Sequence, residues 1–329
     1  MNRRRILLAG AGGLLLLPSR ALAQPPARKQ RVLVLHSAPI PSGPYHRALR
    51  ERLRAHGFVE GSTLILDAPP VTTGGREYMR RDFAKLLAKR PDAILAFTSA
   101  VTHAAVAEAP AVPLVFAWVA DPVKEGLVKD YARPGGNATG VSNRSAEVAV
   151  KRLELLRDLA PAVKRVAVVG PTYDPEGEAA LAALRPASQR MSFQLLEVGT
   201  TITLQLPEVR HAIQRGAQAI LPLHVFSAFG ARAAGEELAR LCTAHRIPAI
   251  FAESEMVEVG ALISYGTNLL DDVRRAADML ARILRGAKPS EMAIDQVSQF
   301  ELAVNLKTAR EIGIRVPASV LARASRVIQ

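Results

Sequence analysis

Arg31–His36 reads RVLVLH, and 134 positions later Arg165–Gly170 reads RVAVVG. Ala93–Ala96 (AILA) returns as Ala219–Pro222 (AILP) after 126 positions, and Pro113–Ala117 (PLVFA) returns as Pro248–Ala252 (PAIFA) after 135. The runs are apolar throughout rather than alternating. That suits strands buried on both faces of a parallel sheet. Helical periodicity fills the stretches between them, so strand alternates with helix, and right-handed crossovers follow. Repetition in the same order predicts an α/β protein of two similar lobes. Two lobes imply a cleft, and a cleft that can close traps a ligand.

Working outward, the first half predicts strands at 32–35, 63–67, 92–97 and 114–117, with helices at 46–56, 77–89 and 99–108. The segment 130–140 reads as turns, its glycines suiting positive backbone angles. An amphipathic helix over 146–159 follows and stops at Pro161. The second half predicts strands at 166–169, 193–198, 219–223, 249–251 and 261–264, and helices at 176–191, 206–215, 231–244 and 270–284. A strand at 300–304 and a final helix from Leu306 close the chain. The expected division is a first lobe of 31–143 plus about 267–299 and a second lobe of 144–266, with 300–329 assigned to neither.

The first 23 residues read as an export signal: basic Arg3-Arg4-Arg5, an apolar core at 6–17 and a small-residue cleavage site at Ala21-Leu22-Ala23. The apolar core is too short to span a bilayer. The paired arginines suit a twin-arginine exporter, and a Sec signal fits as well. Residues 24–30 read as a mobile polar leader. Removing 1–23 takes away four arginines and no acid, so the net charge falls from +13 to +9. This surplus is scattered, without a helix-turn-helix pattern, an aromatic-rich strand or a long basic tail. It reads as a solvated basic surface and predicts no nucleic-acid partner.

Cys242 is the single cysteine. It excludes an intramolecular disulfide and a thiolate zinc site, leaves nothing near the cleavage point to carry a lipid anchor, and reads as a buried small hydrophobe on a helix. The seven histidines contain no i, i+3 or i, i+4 pair. There is no Gly-x-Ser-x-Gly elbow, no phosphate loop after a strand and no His-Glu-x-x-His. The expectation is a binding protein rather than an enzyme, with no metal and no cofactor.

Seven ordered blocks carry a resemblance. They are Ala120-Asp121-Pro122-Val123 with Gly126-Leu127-Val128, ARPGGNATG at 132–140, VSN at 141–143, KRLELLRDL at 151–159, ISYG at 263–266, RILRGAKP at 282–289 and FELAVNLKT at 300–308. Together they resemble the ABC transporter substrate-binding protein family that includes tryptophan-binding members. The resemblance spans essentially the whole mature chain. It implies a type I periplasmic-binding fold: two Rossmann-like lobes, parallel sheets flanked by helices, joined by several crossovers. It implies no catalysis and leaves the ligand open.

In open parallel sheets, ligands bind beyond the carboxyl ends of strands. That rule selects the segments 37–43, 98–100, 118–121, 171–175, 224–227 and 253–255. The candidate ligand-binding residues are Ser37, Ala38, Thr98, Ser99, Ala100, Trp118, Asp121, Tyr173, His224, Phe226 and Glu253. Thr98-Ser99-Ala100 opens a helix, where two hydroxyls and free N–H groups suit a carboxylate; the alternative is that a hydroxyl simply caps that helix. Trp118 offers a stacking face, with ordinary packing as its alternative. Tyr173 and Phe226 occupy comparable places in the other lobe. Asp121 and Glu253 suit an ammonium, against a turn role for the first and a solvated loop for the second. His224 suits a hydrogen bond to the ligand.

The expected protein is a monomeric, soluble periplasmic receptor. It closes on a small amphiphilic organic acid or amino acid, aromatic or branched, and presents it to an inner-membrane ABC permease with its ATPase. Hinges are expected at 141–143, 265–268 and 296–299. Ligand sensing for a membrane signalling protein and a periplasmic enzyme are the alternatives.

Overall fold

The computed structural model describes residues 28–36, 43–69, 76–170, 175–200, 206–223 and 232–329, with the backbone alone at 76–80 and 232. The export signal and Ser37, Ala38, Tyr173, His224 and Phe226 lie outside the described residues.

In chain order the elements are β1 (Gln30–Leu35), α1 (Pro44–Ala55), β2 (Leu64–Asp67), α2 (Arg76–Leu87), β3 (Ala93–Phe97), α3 (Ser99–Glu108), β4 (Leu114–Val119), β5 (Ala138–Ser142) and α4 (Ser145–Leu159). The second half supplies β6 (Arg165–Gly170), α5 (Pro175–Arg190), β7 (Gln194–Gly199), α6 (Leu206–Gln214), β8 (Ala219–Pro222), α7 (Arg232–Ala244), β9 (Ile250–Phe251), α8 (Glu255–Glu258) and β10 (Ile263–Gly266). Then come α9 (Leu269–Leu284), β11 (Asp295–Gln296), β12 (Glu301–Asn305), α10 (Leu306–Ile312), α11 (Ala318–Leu321) and β13 (Arg326–Ile328).

The first sheet runs β11-β5-β4-β3-β1-β2, and every pair in it is parallel. In the second, β7-β6-β8 and β13-β12-β10-β9 meet through a parallel bridge between Ile220 and Ala249. One pair departs from the all-parallel expectation: β12 runs antiparallel to β10. Strand pleating explains why each sheet needs helices on both sides. Val32 and Val34 pack with α1 and α9, whereas Leu33 and Leu35 pack with α2 and α3. In the second sheet Val166 and Val168 face α4 and α5, and Ala167 and Val169 face α6 and α7. This is a doubly wound α/β arrangement in two lobes.

The chain passes between the sheets three times: from β5 into α4, from β10 into α9, and from β11 to β12. Consequently α9 packs on the first sheet although it follows β10, and β12 and β13 complete the second.

Two features of the first sheet differ from the sequence reading. The stretch 130–140, read as turns, ends inside β5. Gly135 does hold a positive φ of 76°, but Gly140 is a strand residue in register with Phe116. A Cβ there would lie 2.2 Å from the Phe116 carbonyl oxygen, so the glycine serves close approach rather than a turn. In β4 the register shifts between Phe116 and Val119, and Trp118 takes φ 58° inside that bulge. The extra residue puts Ala117 and Trp118 on the same face, turning the indole toward α1.

Cys242 is buried on α7, and burial pushes its thiol up to about 12. No helix among the described residues is long and apolar enough to cross a membrane.

Candidate ligand-binding site

β3, β4 and β5 are adjacent, and their carboxyl ends lead into Thr98, Ala120-Asp121 and Asn143. Thr98 is the N-cap residue of α3, yet its side chain makes no capping hydrogen bond. Its φ of 73° with ψ 154° is a costly conformation for a β-branched residue, held because its N–H donates to Ala117 O at 3.0 Å and its carbonyl accepts from Thr102. The Ser99 hydroxyl is buried and has no hydrogen-bond partner among the described residues. Ala100 is half-buried on the next position of the same turn. The capping alternative is therefore not what these hydroxyls do, and the positive end of α3 keeps its donors.

Trp118 lies in the first-lobe core. Its ring meets Tyr45 edge-on at 5.4 Å and Phe97 at 4.6 Å, and the residue is 2% exposed. Its stacking partners are thus intramolecular. Asp121 is also engaged: Tyr131 Oη and the Lys124 N–H donate to Oδ1, and Lys124 Nζ pairs with Oδ2 at 2.9 Å. Burial raises the Asp121 carboxyl, but these donors outweigh it and hold it below the ordinary range. The turn role accounts for both oxygens.

His36 follows β1, and His46 stands on the first turn of α1. Both are buried, with rings edge-on at 6.2 Å. Burial, then the neighbouring His46, lowers His36 to about 4 against a contact with Ala68 that raises it. His46 is lowered by burial and by Arg50, with Glu60 opposing. His36 is neutral in the fold, while the unfolded chain takes up its proton near 6.5. Its contribution is therefore full above 6.5 and is lost as pH falls through that window toward about 4. Urea unfolding should lose about 2–3 kcal/mol of stability between pH 7.5 and 4 from this group, and His36→Gln should flatten that part of the profile.

The second lobe presents an unexpected group. Arg152, on α4, is 1% exposed, and its guanidinium donates to the Pro222 carbonyl at the end of β8. Burial lowers it to about 10, opposed by Glu253 and then Glu176. Glu253, after β9, and Glu176, at the start of α5, are buried as well. Glu253 is therefore a buried acid facing a buried cation, not a solvated loop residue. Glu255 is half-buried and raised by burial and then by Glu253, Glu258 and Glu301. The sequence reading missed Arg152. The signal was present: it falls on the α4 face marked by Val148, Ala149, Leu153 and Leu156, where an apolar residue belongs.

Across the gap between lobes, α3 touches α5. Of the sequence-selected residues, Thr98, Ser99, Ala100 and Glu253 lie at carboxyl edges of the sheets, while Trp118 and Asp121 make their contacts within the first lobe. Among the described residues no group of His, Cys, Asp and Glu has the makings of a metal site.

Comparison with known proteins gives the family and the fold. The profile of a family described as ABC transporter substrate binding protein matches residues 49–328. A tyrosine-binding protein of Clostridioides difficile is 24% identical over 232 residues, covering 70% of this chain and 66% of that relative, so the chain spans just under two thirds of its length. Among solved structures, an ABC domain in complex with L-Trp from Streptococcus pneumoniae superposes with a TM-score of 0.76 at 22% identity, over 92% of this chain and 100% of that one. A conserved domain protein from Vibrio cholerae gives a TM-score of 0.78 at 25% identity, over 91% and 100%. The fold these share is the type I periplasmic-binding architecture. With two doubly wound lobes, three crossovers and a family match over most of its length, the chain belongs to the ABC transporter substrate-binding protein family.

Proposed function

We propose that this chain is the exported receptor of an ABC importer, closing on an α-amino acid with an aromatic side chain and presenting it to a membrane permease. The observation that carries the reading is the start of α3. A buried hydroxyl without a partner, an N-cap residue that does not cap, and the positive end of a helix form a carboxylate seat at Thr98, Ser99 and Ala100. Glu253 supplies the opposite charge for the ammonium; Asp121, committed to Tyr131 and Lys124, does not. The aromatic preference draws support from the relatives that bind tyrosine and L-tryptophan. Ser37, Ala38, Tyr173, His224 and Phe226 belong to the same reading as contributors from the neighbouring strand ends. Residues 1–23 direct export, and the receptor works as a monomer in the periplasm.

Isothermal titration with L-tryptophan, L-tyrosine, L-leucine and D-glucose tests this. The aromatic amino acids should bind, L-leucine more weakly and the sugar not at all. Ser99→Ala should weaken aromatic amino-acid binding about tenfold or more, the worth of a hydrogen bond to a charged group. Tight sugar binding, or no response to any amino acid, would remove the assignment.

A further inference from the structure

One side chain ties together the second and third passages between the lobes. β12 starts at Glu301, in register with Gly266 at the end of β10. Residues 297–300 carry the chain from β11, in the first sheet, to this point. Only Thr267 and Asn268 separate β10, in the second sheet, from α9, which packs on the first. Glu301 Oε1 accepts from Asn268 Nδ2 at 2.9 Å, and Oε2 accepts from the Ser254 hydroxyl, just after β9, at 3.0 Å. Phe300 lies against Tyr265, with ring centroids 5.7 Å apart and a tilt of 34°.

The Asn268 amide is fixed by its other contacts. Its Oδ1 accepts the N–H groups of Leu270 and Asp271 and so caps α9. Only Nδ2 is left to face Glu301. Glu301 belongs to the second sheet, whereas α9 moves with the first, so the bond spans the two lobes. Among the described residues no cation pairs with Glu301, and both of its oxygens are held by neutral donors. Hydrogen bonds to an ionised carboxylate are stronger than those between neutral groups, and this pair is partly shielded from water. The lobes are together in this arrangement, since α3 touches α5. Any rotation of one lobe on the other changes the distance from the start of α9 to β12, and the bond with it.

We propose that Glu301 is a positioning residue for lobe closure. Through Asn268 it holds the start of α9 against β12 and favours the arrangement in which the lobes meet. It acts on the equilibrium between open and closed forms, so its effect is the same for every ligand. The inference needs lobes that move and is independent of which ligand they enclose.

A charge swap tests it. Asn268→Asp keeps the capping oxygen, because aspartate caps a helix as well as asparagine does, but it sets a carboxylate against Glu301. Glu301→Gln keeps an acceptor for Asn268, and the Ser254 hydroxyl can accept from its amide. Combining the two restores a donor–acceptor pair, the new amide donating to the new carboxylate. Lobe separation is read by pulsed electron paramagnetic resonance between nitroxides on Ala107→Cys of α3 and Ala182→Cys of α5, both exposed positions. Cys242 is buried and stays unlabelled. Without ligand, Asn268→Asp should move the distance distribution to longer separations than wild type shows. Glu301→Gln should stay close to wild type, and the double variant should return to it. Titrations of L-tryptophan and L-tyrosine should weaken by one common factor in Asn268→Asp, about tenfold, and recover in the double variant. An unchanged distance distribution in Asn268→Asp would overturn the inference. So would a lowered melting temperature alone, which would reduce the pair to support for the α9 cap, or a loss that differs between the two amino acids, or no recovery in the double variant. Should wild type bind neither amino acid, the ligand reading fails, and the ligand-free distances still decide this one.

Discussion

Arg152→Met is expected to cost about 3–5 kcal/mol of folding stability, enough to threaten accumulation of the protein. The guanidinium is buried, donates to the Pro222 carbonyl and lies in the field of two buried acids, Glu253 and Glu176. Methionine restores volume but neither charge nor donor. It leaves carboxylates facing an apolar group and a strand-end carbonyl without its partner. The remaining acids would respond by holding protons to higher pH, so the loss should be larger at pH 8 than at pH 5. Adding Glu253→Gln to Arg152→Met should cost less than the sum of the two changes, because the second removes a charge the first had stranded. Urea unfolding of the four proteins measures all of these. An Arg152→Met variant as stable as wild type at both pH values would show that the guanidinium is not compensating buried acids.

Gly266→Ala should be nearly as damaging, at about 3 kcal/mol or more, for a purely steric reason. A Cβ on Gly266 would stand 2.0 Å from the Ala252 carbonyl oxygen and 2.9 Å from its carbon. Both are backbone atoms of the neighbouring strand end, so no side chain can swing aside. The ends of β9 and β10 would have to part, and Glu253 sits there. Ligand affinity should therefore fall with stability. Gly136→Ala is the control: it has no positive φ and nothing within 4 Å of the added carbon, and its melting temperature should match wild type. Equal melting temperatures for Gly266→Ala and wild type would contradict the close approach.

What the sequence disclosed follows from what apolar runs can report. Buried parallel strands such as β1, β3, β6 and β8 are continuous hydrophobic segments, and their repetition made the two lobes legible before any contact was known. Strand β5 hid because Gly140, the residue that lets it lie against Phe116, looks like a turn former when only local preference is read. Strands β11 and β13 are two and three residues long, and such pairings exist only because a distant segment supplies their partner. At the site, the start of α3 was legible as a capping sequence after a strand. The inward turn of Trp118 was not, since a bulge is a property of paired register and not of one strand. Arg152 was visible only as a charged residue on an apolar helix face. Its partners, Glu176 and Glu253, come from segments 24 and 101 residues further along the chain.

The central claim is that the two lobes close around a small zwitterion. Small-angle X-ray scattering of the protein beginning at Gln24, with and without saturating L-tryptophan or L-tyrosine, tests it most directly. The account predicts a smaller radius of gyration with the amino acid that binds. An unchanged radius of gyration in wild type, with binding confirmed by titration, would contradict it.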